Sequence, residues 1–398
     1  MRIPVVLALV CLLLQVATDV YLFFIAWQRS RRLTAAKIQL WTAAFFLVYA
    51  IVLFFIPKKG ADDAMLRALT WLIFIYVTVY LGKVIFVIFD LIAQLPRLWH
   101  RNRCKGITVF GAVMGALVFL ACWWGALINR YQLDVNEVTI HVKDLPKSFR
   151  GYRIAQISDL HVGTYGSDTT FVSKLVDKVN ELKPDMIVFT GDIVNRHTEE
   201  LEPFVKPLSR LDARDGVFSI LGNHDYGDYY QWPNEHAKEL NMEKLMDMQI
   251  GMGWELLTNS SEVIYGDVAG DSIVVIGVEN WGDPPFPTYG NLSDAYPTPS
   301  DSATKVLLTH NPVHWVEQIA PADTMNIALT LSGHTHAMQM KVGPLSPAAW
   351  RYKTWGGLYD SDDGKRKLYV NIGTGTVGTP MRLGATPEIT VFTLIPDK

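Results

Sequence analysis

Cysteine is nearly absent: the 398 residues contain three, and none lies beyond Cys122. Cys11 and Cys122 sit inside apolar runs and Cys104 in a basic loop. No disulfide framework is implied, although an oxidising location stays permitted. Acidic residues are scarce in the front of the chain. Residues 1–130 carry 14 Lys+Arg and 4 Asp+Glu, whereas the remainder carries 22 against 35. The overall charge of −3 thus averages a basic front and an acidic back. An acidic back with no basic stripe argues against nucleic acid as a partner. Internal repeats and long low-complexity stretches are missing as well.

The front holds four apolar runs, at residues 3–27, 38–56, 66–95 and 107–128. Each reaches the ~20 residues that cross a bilayer core as a helix. The first is too long for a cleaved leader, and Thr18-Asp19-Val20 is not a small-x-small cleavage site, so a retained helix is expected. The division is therefore a transmembrane region of about four helices at 1–130 and a globular region at 131–398.

Lys and Arg in short loops set orientation. The first loop has Arg29, Arg31, Arg32 and Lys37, and the third Arg97, Arg101, Arg103 and Lys105. The second has Lys58 and Lys59 beside Asp62 and Asp63. Loops one and three are expected in the cytoplasm, which puts both termini and the globular region on the outer side of an inner or plasma membrane. Asp19, Lys83 and Asp90 lie in or near the spans. Such charges are costly there. Lys83 and Asp90 share one helix face two turns apart, and pairing inside the bundle or snorkelling accounts for them; a transport or sensor role is the alternative.

Beyond Gly151 the pattern is strand, loop, helix. Apolar runs at 153–158, 186–190, 217–221, 272–278, 305–309 and 327–332 read as buried strands, with closing strands at 368–372 and 388–394. Phe171, Leu175, Val176, Val179 and Leu182 recur at helical spacing. This order predicts an α/β fold. Five of the strands end in polar clusters: Asp159-Leu160-His161, Gly191-Asp192, Gly222-Asn223-His224-Asp225, His310-Asn311-Pro312 and Gly333-His334-Thr335-His336. In open α/β sheets that edge is where ligands bind.

Singly these clusters are weak, since Asp-x-His and Gly-Asp occur by chance. Two imidazoles bracketing one Thr, or an Asn offered beside Gly222, are stronger. Together they supply two Asp, one Asn and four His, with His224 left over. A mixed oxygen and nitrogen set suits Mn, Fe or Zn rather than Ca or Mg. Two such ions about 3.5–4 Å apart clamp the attacking and leaving oxygens of a phosphoryl group.

In these motifs and their order, the region from about Leu133 to Asp397 resembles the calcineurin-like metallophosphoesterases. The wording of the Asp159 and His334 motifs behind a membrane segment is similar to the bacterial membrane-associated branch, which includes relatives of UDP-2,3-diacylglucosamine pyrophosphatases. The resemblance implies an α/β/β/α sandwich of two sheets flanked by helices, and two divalent metal ions. Asp159, His161 and His336 would hold the first ion, Asn223, His310 and His334 the second, and Asp192 both. His224 would protonate the leaving oxygen or stabilise charge on the phosphoryl group, oriented by Asp225. Where the family often has Gly-Gly after the last histidine, this chain has Ala337-Met338.

The expected activity is hydrolysis of a phosphomonoester or phosphodiester by a membrane-anchored enzyme. Aromatic stretches at 226–232, 281–296 and 350–359 suit a lipid or bilayer surface, or the packing of a base or sugar ring. Arg382 is a candidate contact for a substrate phosphate, or a surface arginine. An outer site favours a lipid-linked or envelope phosphoester. A cytoplasmic site would favour a nucleotide-activated lipid of lipid A synthesis. A non-catalytic metal-binding scaffold is the alternative class, and no protein partner is inferred.

Overall fold

The computed structural model describes residues 5–30, 33–56, 61–282, 287–296, 303–322 and 325–397. It forms two compact units, Met1–Ala126 with Gly378–Pro380, and Leu127–Val377 with Met381–Lys398. In the first, helices α1 (Val5–Ser30), α2 (Leu33–Phe55), α3 (Asp63–Gln94) and α4 (Lys105–Leu127) are each long and apolar enough to cross a membrane. Large apolar side chains face outward along them, Leu13, Trp41 and Val109 among them. Asp62 is not only a loop charge: its carboxylate caps α3, accepting from Met65 N at 2.7 Å. Arg31, Arg32, Lys58 and Lys59, part of the loop-charge argument, lie outside the described residues.

The intramembrane charges are paired inside this unit, Lys83 with Asp19 rather than with Asp90. Lys83 Nζ lies 2.8 Å from Asp19 Oδ1, and Tyr80 OH and Gln39 Nε2 also donate to Asp19. Asp90 accepts from Tyr21 OH and Thr108 Oγ1, each at 2.8 Å. About two turns along α3, from Lys83 to Asp90, therefore separate two distinct polar clusters that tie α1 and α2 on one hand, and α1 and α4 on the other, to α3.

The second unit contains strands β1 (Asp134–Val142), β2 (Arg153–Ile157), β3 (Met186–Phe189), β4 (Val217–Ser219), β5 (Trp254–Leu256), β6 (Ser260–Tyr265), β7 (Ser272–Val278), β8 (Thr304–Thr309), β9 (Ile327–Ser332), β10 (Gly357–Asp360), β11 (Lys367–Val370) and β12 (Glu388–Pro396). They make two six-stranded sheets, β1-β12-β2-β3-β4-β5 and β10-β11-β9-β8-β7-β6. From β2 to β5 the first is parallel, and so is the run β7-β8-β9-β11 in the second.

Alternation along the strands builds three apolar layers. Ile154, Met186 and Val188 face Val275, Val306 and Leu331 between the sheets. Ala155, Ile157, Ile187 and Phe189 take the other face of the first sheet, against Val172, Leu175, Val176 and Val179 of helix α5 (Thr170–Glu181). The outer face of the second sheet, through Ile276 and Leu307, packs on Leu292, Trp315 and Ile319. The result is the expected two-sheet sandwich with helices outside. It aligns the C-terminal ends of β2, β3, β4, β8 and β9, and the five polar clusters follow those ends.

Candidate dimetal site

Each strand stops where its apolar run stops, and the chain turns sharply there. Asp159 (φ 52°), His161 (46°), Asp192 (60°), His334 (74°) and His336 (50°) all occupy the left-handed region. Non-glycine residues rarely do so, and they cluster at functional sites because the surrounding structure enforces it. Ala337 (51°) and Met338 (46°) continue the turn, so the torsions a glycine pair adopts freely are held here by side-chain-bearing residues. Gly222 has no left-handed φ, and what it supplies is space, because a Cβ there would come within 2.3 Å of Asp192 Oδ1. Gly333 does the same for Asp159 Oδ2, at 2.2 Å.

The turns bring the side chains into two adjoining clusters. In the first, His161 Nε2 lies 3.1 Å from His336 Nε2 and 3.6 Å from Asp192 Oδ2, and His336 Nε2 lies 3.3 Å from Asp159 Oδ1. In the second, His310 Nε2 is 3.2 Å from Asp192 Oδ2 and 3.2 Å from Asn223 Oδ1. His334 Nδ1 is 2.9 Å from Asn223 Oδ1 and 3.2 Å from His310 Nε2. Asp192 belongs to both clusters. Ligand atoms each about 2.1 Å from one ion stand about 3.0–3.4 Å apart in tetrahedral or octahedral geometry. The donor set and its spacing therefore fit one divalent ion per cluster.

Outer contacts fix which nitrogen faces inward. His161 Nδ1 faces Val194 O at 3.2 Å and His310 Nδ1 faces Thr190 O at 2.8 Å. A carbonyl only accepts, so both rings donate from Nδ1, which leaves Nε2 of each as the atom facing the cluster. His334 Nε2 lies 3.1 Å from Tyr352 OH, which leaves Nδ1 for the cluster. His336 is different: its Nδ1 lies 3.2 Å from Arg382 Nη2, an obligate donor. In the metal-free protein its proton therefore sits on Nε2, and an ion must displace it.

Burial shapes the charges. It lowers His161 to about 3, with the His224 charge adding to the effect, and lowers His334 to about 3. It raises Asp159 to about 7. Burial also disfavours charge on Asp192 and His310, but their mutual attraction wins. Asp192 stays well below the usual carboxylate range and His310 keeps its proton up to about 10. Without metal, the shared carboxylate is thus held by one ion pair.

His224 stands at the rim, half-buried. Its Nδ1 faces Asn195 O at 2.7 Å, and its ring stacks on Tyr229 at 4.2 Å. Asp225 does not orient it directly. The Asp225 carboxylate accepts instead from the amides of Asp192, Gly222, Ile193 and Val194, at 2.8, 2.8, 2.9 and 3.3 Å. It braces the loop that carries both Asp192 and the Asn195 carbonyl, so its influence on His224 runs through backbone. Arg382 is neither a surface group nor a phosphate contact. It is fully buried and donates to the carbonyls of Gly375, Ala385 and Ile372 behind His336; burial pulls its guanidinium down to about 10.

Two tyrosines that the motif pattern did not single out touch the second cluster. Tyr352 meets His334, as above, and Tyr229 OH accepts from Asn223 Nδ2 at 2.9 Å. That bond fixes the amide so that Oδ1, not Nδ2, faces the histidines. Tyr229→Phe removes only a hydroxyl on an exposed ring. It is expected to weaken the ion at the second cluster about tenfold, read by metal titration, while the first ion binds as before. Unchanged affinity for both ions would show that the hydroxyl does not set the amide.

Residues 152–338 match the family model described as calcineurin-like phosphoesterase. Residues 1–130 match one described as the transmembrane domain of a probable calcineurin-like phosphoesterase. The metallophosphoesterase YkuE of Bacillus subtilis is 29% identical over 309 residues, 75% of this chain and 99% of its own length. A transmembrane protein with metallophosphoesterase domain from Danio rerio is 30% identical over 319 residues, 77% and 69% of the two chains. The UDP-2,3-diacylglucosamine pyrophosphatase LpxG of Chlamydia trachomatis is 29% identical over 340 residues, 71% and 96%.

Proposed function

The chain belongs to the calcineurin-like phosphoesterases, as a membrane-associated, metal-dependent phosphoester hydrolase, and from that premise we propose that it cleaves a phosphoester carried by a membrane lipid, using two divalent ions. The observation that carries the two-ion reading is the position of Asp192 Oδ2, 3.6 Å from His161 Nε2 and 3.2 Å from His310 Nε2. One carboxylate serves both clusters. Asp159, His161 and His336 complete the first, and Asn223, His310 and His334 the second. Mn, Fe or Zn suits this mixture of donors. Bound there, the pair supplies Lewis acidity and an activated nucleophile.

The chain's own residues do the rest. Asn195 and Tyr229 hold the His224 ring, and Nε2 is left to pass a proton to the leaving oxygen. Asp225 and the motif glycines keep the Asp192 turn in place. The basic first and third loops support a site on the outer side, where the phosphate of a lipid or envelope component is the expected substrate. A second reading, a cytoplasmic pyrophosphatase for a nucleotide-activated lipid, is favoured by the similarity to LpxG.

One measurement tests the activity both readings share, and a second separates them. The detergent-purified full chain in Mn should hydrolyse a generic phosphodiester or monoester, and chelator should abolish it; metal-loaded protein inert toward both would count against the proposal. Cys104 is exposed in the third loop, beside buried Cys122 and half-buried Cys11. A membrane-impermeant maleimide should leave it unlabelled in right-side-out vesicles and label it in inverted ones. The opposite pattern would place the site in the cytoplasm and favour the nucleotide-lipid substrate.

A further inference from the structure

Between His336 and Tyr359 the chain has Lys341, Arg351 and Lys353 and no acidic residue. That is unusual in a region where residues 131–398 carry 22 basic against 35 acidic residues. The segment is ordered from within. Lys341 N donates to Leu383 O at 2.9 Å, and Val342 and Leu345 exchange backbone bonds at 2.8 and 3.1 Å around a tight turn. Ser346 Oγ donates to Ala337 O at 2.7 Å and caps the short turn that ends at Trp350. Yet this fixed scaffold presents three large apolar groups to the outside. Val342 is 75% exposed, Leu345 72% and Trp350 90%. At its base, Tyr352 OH lies 3.1 Å from His334 Nε2.

We propose that this segment is an interfacial anchor that inserts Val342, Leu345 and Trp350 into an anionic lipid surface beside the site. Three apolar tips with a basic surround are too small a patch for a stable protein interface, which buries about 800 Å² per partner. They match the interfacial pattern of aromatic and aliphatic groups flanked by Lys and Arg, which negative headgroups attract. The chain's own spans keep a bilayer within reach at all times. Because Tyr352 joins the segment to a histidine of the second cluster, docking there brings headgroup phosphates to the site. This last step rests on the proposed lipid phosphoester activity; the docking does not.

The test uses the full chain, one copy per nanodisc, with Cys11, Cys104 and Cys122 replaced and a spin label at Ala349→Cys, a position that leaves all three anchors intact. A control label sits at Tyr265→Cys, 79% exposed on β6. In discs containing phosphatidylglycerol, the Ala349 label should collide several-fold more with oxygen and less with a water-soluble nickel chelate than in phosphatidylcholine alone. The Tyr265 label should stay aqueous in both. Adding Leu345→Glu and Trp350→Glu should return the Ala349 label to water. An aqueous label in both lipids overturns the proposal, as does shielding only when a disc holds two copies. Equal immersion in both lipids overturns the preference for anionic headgroups. Turnover of a water-soluble diester by the same samples reads the proposed activity separately, so either can fail alone.

Discussion

Asp192→Asn should strip both ions from the protein and lower turnover by about 10³-fold or more, the effect of losing several kcal/mol of charge stabilisation. The substitution is nearly isosteric. The Oδ1 bond from His224 N, 2.8 Å long, has an acceptor in either side chain, so the turn should survive. What changes is the charge at Oδ2, the atom between His161 and His310. Asp159→Asn is the contrasting variant, since Asp159 reaches only the first cluster and should cost only that ion. Metal content per chain, measured beside turnover, distinguishes them. Two ions still bound to Asp192→Asn at normal turnover would remove the shared-ligand reading.

The same variant has a stability signature without metal. Asp192 is depressed, so its contribution is present above its ordinary value of 3.8 and lost as pH falls below it. His310 is raised, so its contribution is complete below 6.5 and fades as pH rises toward about 10. The metal-free protein should therefore lose most from Asp192→Asn between pH 3.8 and 6.5, and progressively less toward pH 10.

The parts of the fold that were readable in advance share one property. β2, β3, β8 and β9 are covered on both faces, so each is short, mainly apolar and ends at a polar motif. β5, β6 and β10 carry no such signal. They lie at or near sheet edges and are half polar; β6 buries only Ile264. The helix Glu235–Gly251 buries Asn241, Leu245 and Gln249, two of them polar, and so shows no apolar period. In the site, residue types sufficed for the metal-ligand candidates because few side chains bind ions. Supporting roles were not readable. Nothing near Asp225 in sequence announces that it would accept amides from 192–194, and nothing local shows Arg382 buried behind His336, 46 positions away. Such roles depend on which loops the sheet ends bring together.

His224→Ala should slow hydrolysis of esters with alkyl leaving groups by about 10²–10⁴-fold, the usual weight of one general acid. Esters with a stable leaving anion such as nitrophenolate need little protonation and should be slowed far less. The asymmetry follows from where the ring is held. His224 belongs to neither cluster of Asp and His residues, and its Nδ1 is occupied by the Asn195 carbonyl. Removing it should therefore leave metal content untouched, unlike Asp192→Asn. Asp225→Asn should fall between them, because it loosens the loop that carries both Asp192 and Asn195. If His224→Ala slowed both ester types equally, the ring would be binding the phosphoryl group rather than protonating the leaving oxygen. If it cost metal instead, His224 would belong among the ligands, and the second cluster would have to be redrawn around it.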